Sequence, residues 1–211
     1  MRPSKRDAVL DTAERLFYNE GFHATGIDRL ASEAGVVRMT LYNHFASKEA
    51  LIEAVLERRY ARYIEQLRDA VAQRGCQDGA VRALAERHCT WLREGSAQGC
   101  IVIKALGEFE AHNAGIAALG RRLKQGLLAL IAEAVELDTG ERDADTSEQI
   151  LTILEGANAL VPILGSDRTV RHVRALLAHL PGPERAARSG RRSPRSAEAD
   201  GDVVPLTEMH E

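Results

Sequence analysis

Aromatic residues are scarce: Phe, Trp and Tyr make up 4% of the 211 residues, with a single Trp. That argues against an aromatic-rich β-sandwich, and against a single-strand platform that stacks bases on rings. Cysteine is also sparse, at positions 76, 89 and 100 only. An odd number at wide spacing is no disulfide framework and points to a reducing compartment. No apolar run approaches the roughly 18 residues of a membrane helix. The charged start, Met-Arg-Pro-Ser-Lys-Arg-Asp, has no apolar stretch behind it and does not read as a signal peptide. The expected location is the cytoplasm, with no membrane partner. Neither charge dominates: the net charge is −3, which excludes a generally basic nucleic-acid coater and leaves room for a local basic face.

What is present is ordinary globular composition, 45% hydrophobic and 28% charged, long enough to bury a core without disulfide staples. Apolar residues recur at helical spacing in Val9, Ala13, Leu16 and Phe17, and again in Leu51, Val55, Tyr60, Tyr63 and Leu67. A third run is Ile116, Leu119, Leu123, Leu127, Leu130 and Ala134. Strand-like alternation is rare. Cys100 to Ile103 could be a short strand, but the run continues to Phe109 at helical spacing and reads as helix. With breaks at Gly21, Gly35, Ser47, Gly75–Gly79, Gly95–Gly99, Asn113–Gly115, Asp138–Thr146 and Gly165–Asp167, the expectation is an all-α chain of about nine helices. After Leu180 the chain opens Pro181-Gly182-Pro183, becomes Arg-rich to Arg195 and then acidic. Residues 181–211 are expected to be a disordered tail, since few apolar groups are there to offset ordering entropy.

The most informative stretch lies between residues 5 and 50. A first amphipathic helix ends at Gly21, and Thr25 followed by Asp28 resembles a capping pair for a second, short helix through Leu30, Ala31 and Ala34. Gly35 and Val36 form a turn, and another short helix runs to about His44. Two short helices joined by a tight Gly turn form a helix-turn-helix, whose second helix is sized for a major groove. Its outward face carries Arg38, Met39, Thr40, Tyr42, Asn43 and His44, and no acid occurs between Glu33 and Glu49. Arg38 has the fork to read guanine edges and Thr40 can meet a base, while Tyr42, His44 and Lys48 suit phosphate contacts. A helical corner with an incidental polar face would give the same periodicity.

The run Ala34-Gly35-Val36-Val37-Arg38-Met39-Thr40-Leu41-Tyr42-Asn43-His44-Phe45-Ala46-Ser47-Lys48-Glu49-Ala50-Leu51 resembles the DNA-binding core of the tetracycline-repressor (TetR) family. So does the approach to it: Ala13-Glu14-Arg15-Leu16-Phe17, Glu20-Gly21-Phe22, Thr25-Gly26-Ile27 and Leu30-Ala31. The resemblance implies that Leu41 and Phe45 pack the recognition helix and that Tyr42 and Lys48 hold the DNA backbone. Thr25 would cap the second helix and touch phosphate, and Arg38, Thr40 and Asn43 would lie nearest the bases. One departure is Val37, where the family usually has Ser or Thr. Val cannot cap the free N–H groups of the helix start, a loss of about 1 kcal/mol.

The resemblance further implies a head of residues 1–46 and a ligand-binding, dimer-forming helical body of residues 47–180, the latter starting with one long helix over residues 47–73 capped by Ser47. Expected lining residues for a small-molecule effector are His88, Trp91, Leu92, Cys100, Ile103, Leu106, Phe109, His112, Leu123 and Leu127, although each also suits a plain bundle core. The expected homodimer seam uses the last two helices, with Ile150, Ile153, Leu154, Ala157, Leu160 and Val161 on the first and Val170, Val173, Leu176, Leu177 and Leu180 on the second. The function that follows is a ligand-responsive repressor of transcription binding a palindromic double-stranded DNA operator; a helical binding protein or enzyme without DNA function is the competing class.

Other signals carry less. Asp138-Thr139-Gly140 spells an aspartic-protease triplet but reads as a helix-ending turn, and that chemistry needs a second carboxylate close by. Cys76, Cys89 and Cys100 with His88 and His112 match no zinc spacing. Phosphate-cradling Gly loops and nucleophile elbows are absent. No enzyme activity, metal or cofactor is expected. Arginines 185–195 could add nonspecific DNA affinity, or simply form a solvated tail.

Overall fold

The computed structural model describes residues 4–75 and 79–180. Cys76 and the tail from Pro181 onward, with its arginines, lie outside the described residues. Within them the chain forms nine α-helices and no strand: α1 (Lys5–Glu20), α2 (Ile27–Glu33), α3 (Arg38–His44), α4 (Lys48–Ala72), α5 (Ala80–Glu94), α6 (Ile101–Phe109), α7 (Ala114–Thr139), α8 (Ala144–Leu164) and α9 (Ser166–Leu177).

Local chemistry accounts for most boundaries. Ser4, Ser47, Asn113 and Asp143 cap α1, α4, α7 and α8, each accepting a backbone N–H of the first turn. Gly140 closes α7 in the left-handed conformation, at φ 84°. Asp138, one residue before the Thr139-Gly140 pair, spends its carboxylate on the start of α5, accepting from Ala80 N at 2.6 Å and Val81 N at 3.0 Å. The protease-like triplet is thus a helix terminus and a cap.

The buried side chains form two clusters. The first joins α1, α2 and α3 to the first half of α4, to α6 and to the start of α7, through Leu16, Phe17, Phe22, Leu41, Phe45, Leu51, Val55, Val102 and Phe109 among others. The second joins the rest of α4 and α7 to α5, α8 and α9, through Leu67, Leu84, Leu92, Leu127, Ile131, Leu154 and Val173. The expected boundary at 46/47 coincides with the start of α4, yet apolar packing runs straight through it. Long α4 belongs to both clusters, and Tyr60 packs against each of them. Any displacement at their junction therefore reaches the first three helices through close-packed side chains.

Candidate nucleic-acid interface and effector cavity

α3 is held by few residues and shows the rest. Leu41 is fully buried and Phe45, just past the helix end, is 4% exposed. Arg38, Met39, Tyr42, Asn43 and His44 are exposed, and Thr40 and Lys48 are half-buried. Val37 occupies the N-cap in extended conformation and makes no side-chain cap. The turn before it uses Gly35 at φ 65°, a conformation an L side chain rarely adopts. Arg38 does not stand free. It donates to Asp28 Oδ1 at 3.2 Å and lies over the Tyr42 ring, 5.6 Å from its centroid. The acid-free stretch of sequence around α3 is thus supplied with a carboxylate from α2.

Thr25 departs from expectation. It is fully buried, and its hydroxyl donates to Gly21 O at 2.8 Å, while α2 is preceded by Gly26 with no side-chain cap. It fastens the turn after α1 and has no surface to offer a phosphate.

A narrow cavity lies where the two apolar clusters meet. It is lined by Arg59, Tyr60 and Tyr63 of α4, Trp91 of α5, Ser96, Gly99 and Cys100 of the following loop, Ile101 and Val102 of α6, Lys124 of α7 and Asn158 of α8. Gly99 is required there: at φ 89°, an added Cβ would sit 2.6 Å from Asn158 O. Lys124 Nζ donates to Glu155 Oε1 at 2.6 Å and to Cys100 Sγ at 3.2 Å. Burial disfavours this ammonium, but the neighbouring Cys100 and Glu155 outweigh burial and raise its pKa. The Tyr60 hydroxyl is buried with no hydrogen-bond partner among the described residues, and burial pushes that phenol up, so it stays protonated.

The far end of α6 holds the head. Glu108 accepts from Phe22 N at 3.2 Å and His23 N at 3.0 Å, in the turn between α1 and α2. Lys104 Nζ donates to Tyr18 O at 2.9 Å, at the end of α1. Arg59, at the cavity wall, also donates to buried Glu14 of α1 at 2.9 Å. Glu14 meets three arginines of α4, at 58, 59 and 62.

Residues 9–55 match the family model described as bacterial regulatory proteins, tetR family. The chain is 31% identical over 134 residues to the HTH-type transcriptional repressor NemR of Escherichia coli K12, covering 62% of this chain and 67% of the relative. The chain belongs to the TetR family. It is a DNA-binding transcription regulator. A shorter match, 33% over 95 residues, is to the HTH-type transcriptional activator FasR of Mycolicibacterium smegmatis, covering 45% of this chain and 43% of that one. Among solved structures, the TetR-family regulator SCO4454 of Streptomyces coelicolor superposes with a TM-score of 0.75 at 28% identity, covering 82% of this chain and 94% of that one.

In this TetR-family chain, the residues expected around an effector divide. Trp91 and Cys100 line the cavity. His88 is buried behind it, paired with the Tyr63 hydroxyl at 2.8 Å. Ile103 is 43% exposed, because it falls on the outer side of α6. Phe109 packs on Phe22 at 5.6 Å and on His23 at 4.8 Å, and His112 faces His23, so both sit at the head end. Leu123 packs on the first cluster and Leu127 is buried in the second. The lining residues Tyr60, Tyr63, Lys124 and Asn158 escaped sequence reasoning. Lys124 gave no signal either, because it follows Arg121 and Arg122 in a polar segment of α7 and reads there as one more surface cation.

The expected seam residues divide too. Ile150, Leu154, Ala157, Val161 and Val173 are 5% exposed or less, filling the core of their own chain. The apolar surface left on α8 and α9 includes exposed Leu160, Ile163 and Leu176, with Ile163 at 76%, and half-buried Ile153 and Leu177. No described helix is long and apolar enough to cross a membrane.

Proposed function

We propose that this regulator is an effector-controlled repressor that grips a palindromic operator as a homodimer. The observation that carries the reading is the span of α6: its first residues wall the cavity and Glu108 at its other end holds the turn of the head. Residues 1–46 act as the DNA-binding head and residues 47–180 as the body. Arg38, Met39, Thr40 and Asn43 face the bases, and Tyr42, His44 and Lys48 face the phosphates. A second copy covers Leu160, Ile163 and Leu176, placing two α3 helices in successive major grooves about 34–36 Å apart.

Control follows from differential affinity. A small molecule in the cavity favours a body arrangement with α6 displaced, in which the two heads no longer match the groove spacing. It shifts the equilibrium only by the ratio of its affinities for the two arrangements. Asp28 adds a second effect, because base edges and this carboxylate compete for Arg38.

The test is retention of DNA from upstream of the protein's own gene in a gel, with affinity falling steeply as salt rises. Lys48→Ala and Tyr42→Phe should weaken binding on all sequences alike, Arg38→Ala should alter sequence preference, and Asp28→Asn should tighten binding most at low salt. Failure to retain any such fragment at low ionic strength would overturn the reading. A reporter behind the bound fragment should fall when the protein is supplied; a rise makes it an activator.

A further inference from the structure

The head leaves its large apolar side chains bare in one place. Among its described residues, those that stand exposed are Val37 and Met39, each at 69%, and Tyr42 at 36%. All three belong to α3 or to the residue before it. Tyr42 carries a hydroxyl, and the Arg38 guanidinium lies over its ring. Val37 and Met39 carry no polar group, and they flank Arg38 in the chain. The neighbouring Val36, by contrast, packs against the first apolar cluster.

A single exposed apolar side chain is ordinary on any protein surface. Two beside the arginine of a recognition helix sit where a duplex must meet them. Met39 also shares its side of α3 with exposed Asn43, four residues on. A phosphate gains nothing from such groups, and most base edges present hydrogen-bond donors and acceptors. The apolar group that a base pair shows in the major groove is the thymine C5-methyl. Burying one methyl-sized group against an apolar side chain raises affinity about fourfold.

We propose that Val37 and Met39 determine sequence specificity by closing on thymine methyl groups beside the guanine that Arg38 reads. The proposal rests on the regulator reading above and adds what each half-site must contain: a guanine with thymines at neighbouring pairs, on either strand. Arg38 leaves Asp28 and takes the O6 and N7 edge of the guanine with its fork. On its two sides, the bare valine and methionine and the methyl groups they meet leave water together. The polar contact chooses the guanine, and the apolar contacts reject cytosine and uracil, which lack the methyl.

The experiment takes the fragment retained from upstream of the gene and prepares it twice, with thymidine and with deoxyuridine in its place. Uracil pairs as thymine does and lacks only the methyl. Gel retention with the full-length protein, at one fixed salt concentration, should show the deoxyuridine duplex binding about tenfold or more weakly. Uracil placed at one position at a time should cost about fourfold at each contacted thymine. A random duplex of the same length should bind alike in both forms, because phosphates carry that binding. Met39→Ala should abolish the loss at one thymine and keep it at another, and Val37→Ser should do the converse. Both side chains are exposed, so neither change should unfold the chain. Val37→Ser also gains a helix cap; Val37→Thr gains the same cap, keeps a methyl and should keep its thymine sensitivity. Equal binding of the two duplexes overturns the proposal and leaves the regulator reading standing, and so does a uracil loss that persists unchanged in both variants. Retention of neither duplex, nor of any other fragment, sinks the regulator reading and this proposal with it.

Discussion

Removing the Glu108 carboxylate tests the link between body and head most directly. Its two oxygens accept the backbone N–H groups of Phe22 and His23, and the side chain is 29% exposed. Phe22 itself is fully buried, against Phe17 at 5.2 Å and Phe109 at 5.6 Å. A hydrogen bond to a charged group contributes about 1.5–3 kcal/mol when buried; partial exposure, and the open position of the His23 amide, bring the pair down to about 2 kcal/mol. In a domain of this size about 1 kcal/mol moves the midpoint by roughly 2–4 °C, so Glu108→Ala should melt roughly 4–8 °C lower. Glu108→Gln keeps one carbonyl oxygen and should lose about half as much. Differential scanning calorimetry at neutral pH measures both. Operator binding measured with and without effector should show a smaller ratio in Glu108→Ala, because the cavity end of α6 no longer pulls on the turn. A Glu108→Ala protein that melts within about 1 °C of the parent would show that packing around Phe22 alone seats the head, and the coupling argument would fall.

Further expectations concern the cap, the buried histidine and the dimer. Val37 is 69% exposed and already has N-cap geometry, so Val37→Ser loses little packing and should stabilise by about 1 kcal/mol; unchanged melting and unchanged operator affinity would refute this. Burial, with the Lys124 ammonium nearby, pushes His88 from 6.5 down to about 3. The folded protein keeps this imidazole neutral while the unfolded chain protonates it, so its contribution is complete above pH 6.5 and is lost as pH falls toward 3. By pH 5 the loss should be about 2 kcal/mol, and His88→Gln should flatten that limb of the melting-versus-pH curve; identical limbs would contradict it. Ile163→Asp and Leu160→Asp should yield monomers by gel filtration at unchanged helix content, whereas Ala157→Arg, placed in the core, should unfold the chain; dimers from both Asp variants would put the seam elsewhere.

Helix content, the positions of nearly all breaks and the outward face of α3 were legible in the sequence, because they rest on signals acting over a few residues. Ser47 caps α4 as its position before Lys48-Glu49 implies, and Gly140 ends α7 for want of a Cβ. The Thr25–Asp28 pair had capping spacing too, but α2 begins at Ile27 with Gly26 in the cap position, one residue past Thr25, whose hydroxyl donates back to Gly21 O. Tertiary packing alone decided the rest. It brought Asp28 to Arg38, Glu108 to the turn 85 residues earlier, and Cys100 to Lys124 across two helices. It also chose which apolar side of α8 fills its own core: with Leu154 and Ala157 on one side and Leu160 and Ile163 on another, hydrophobic periodicity marks both and ranks neither. Helical period and capping encode where a helix runs and which residues it shows, whereas a cavity is the space left between helices, set by how they meet and not by any one of them.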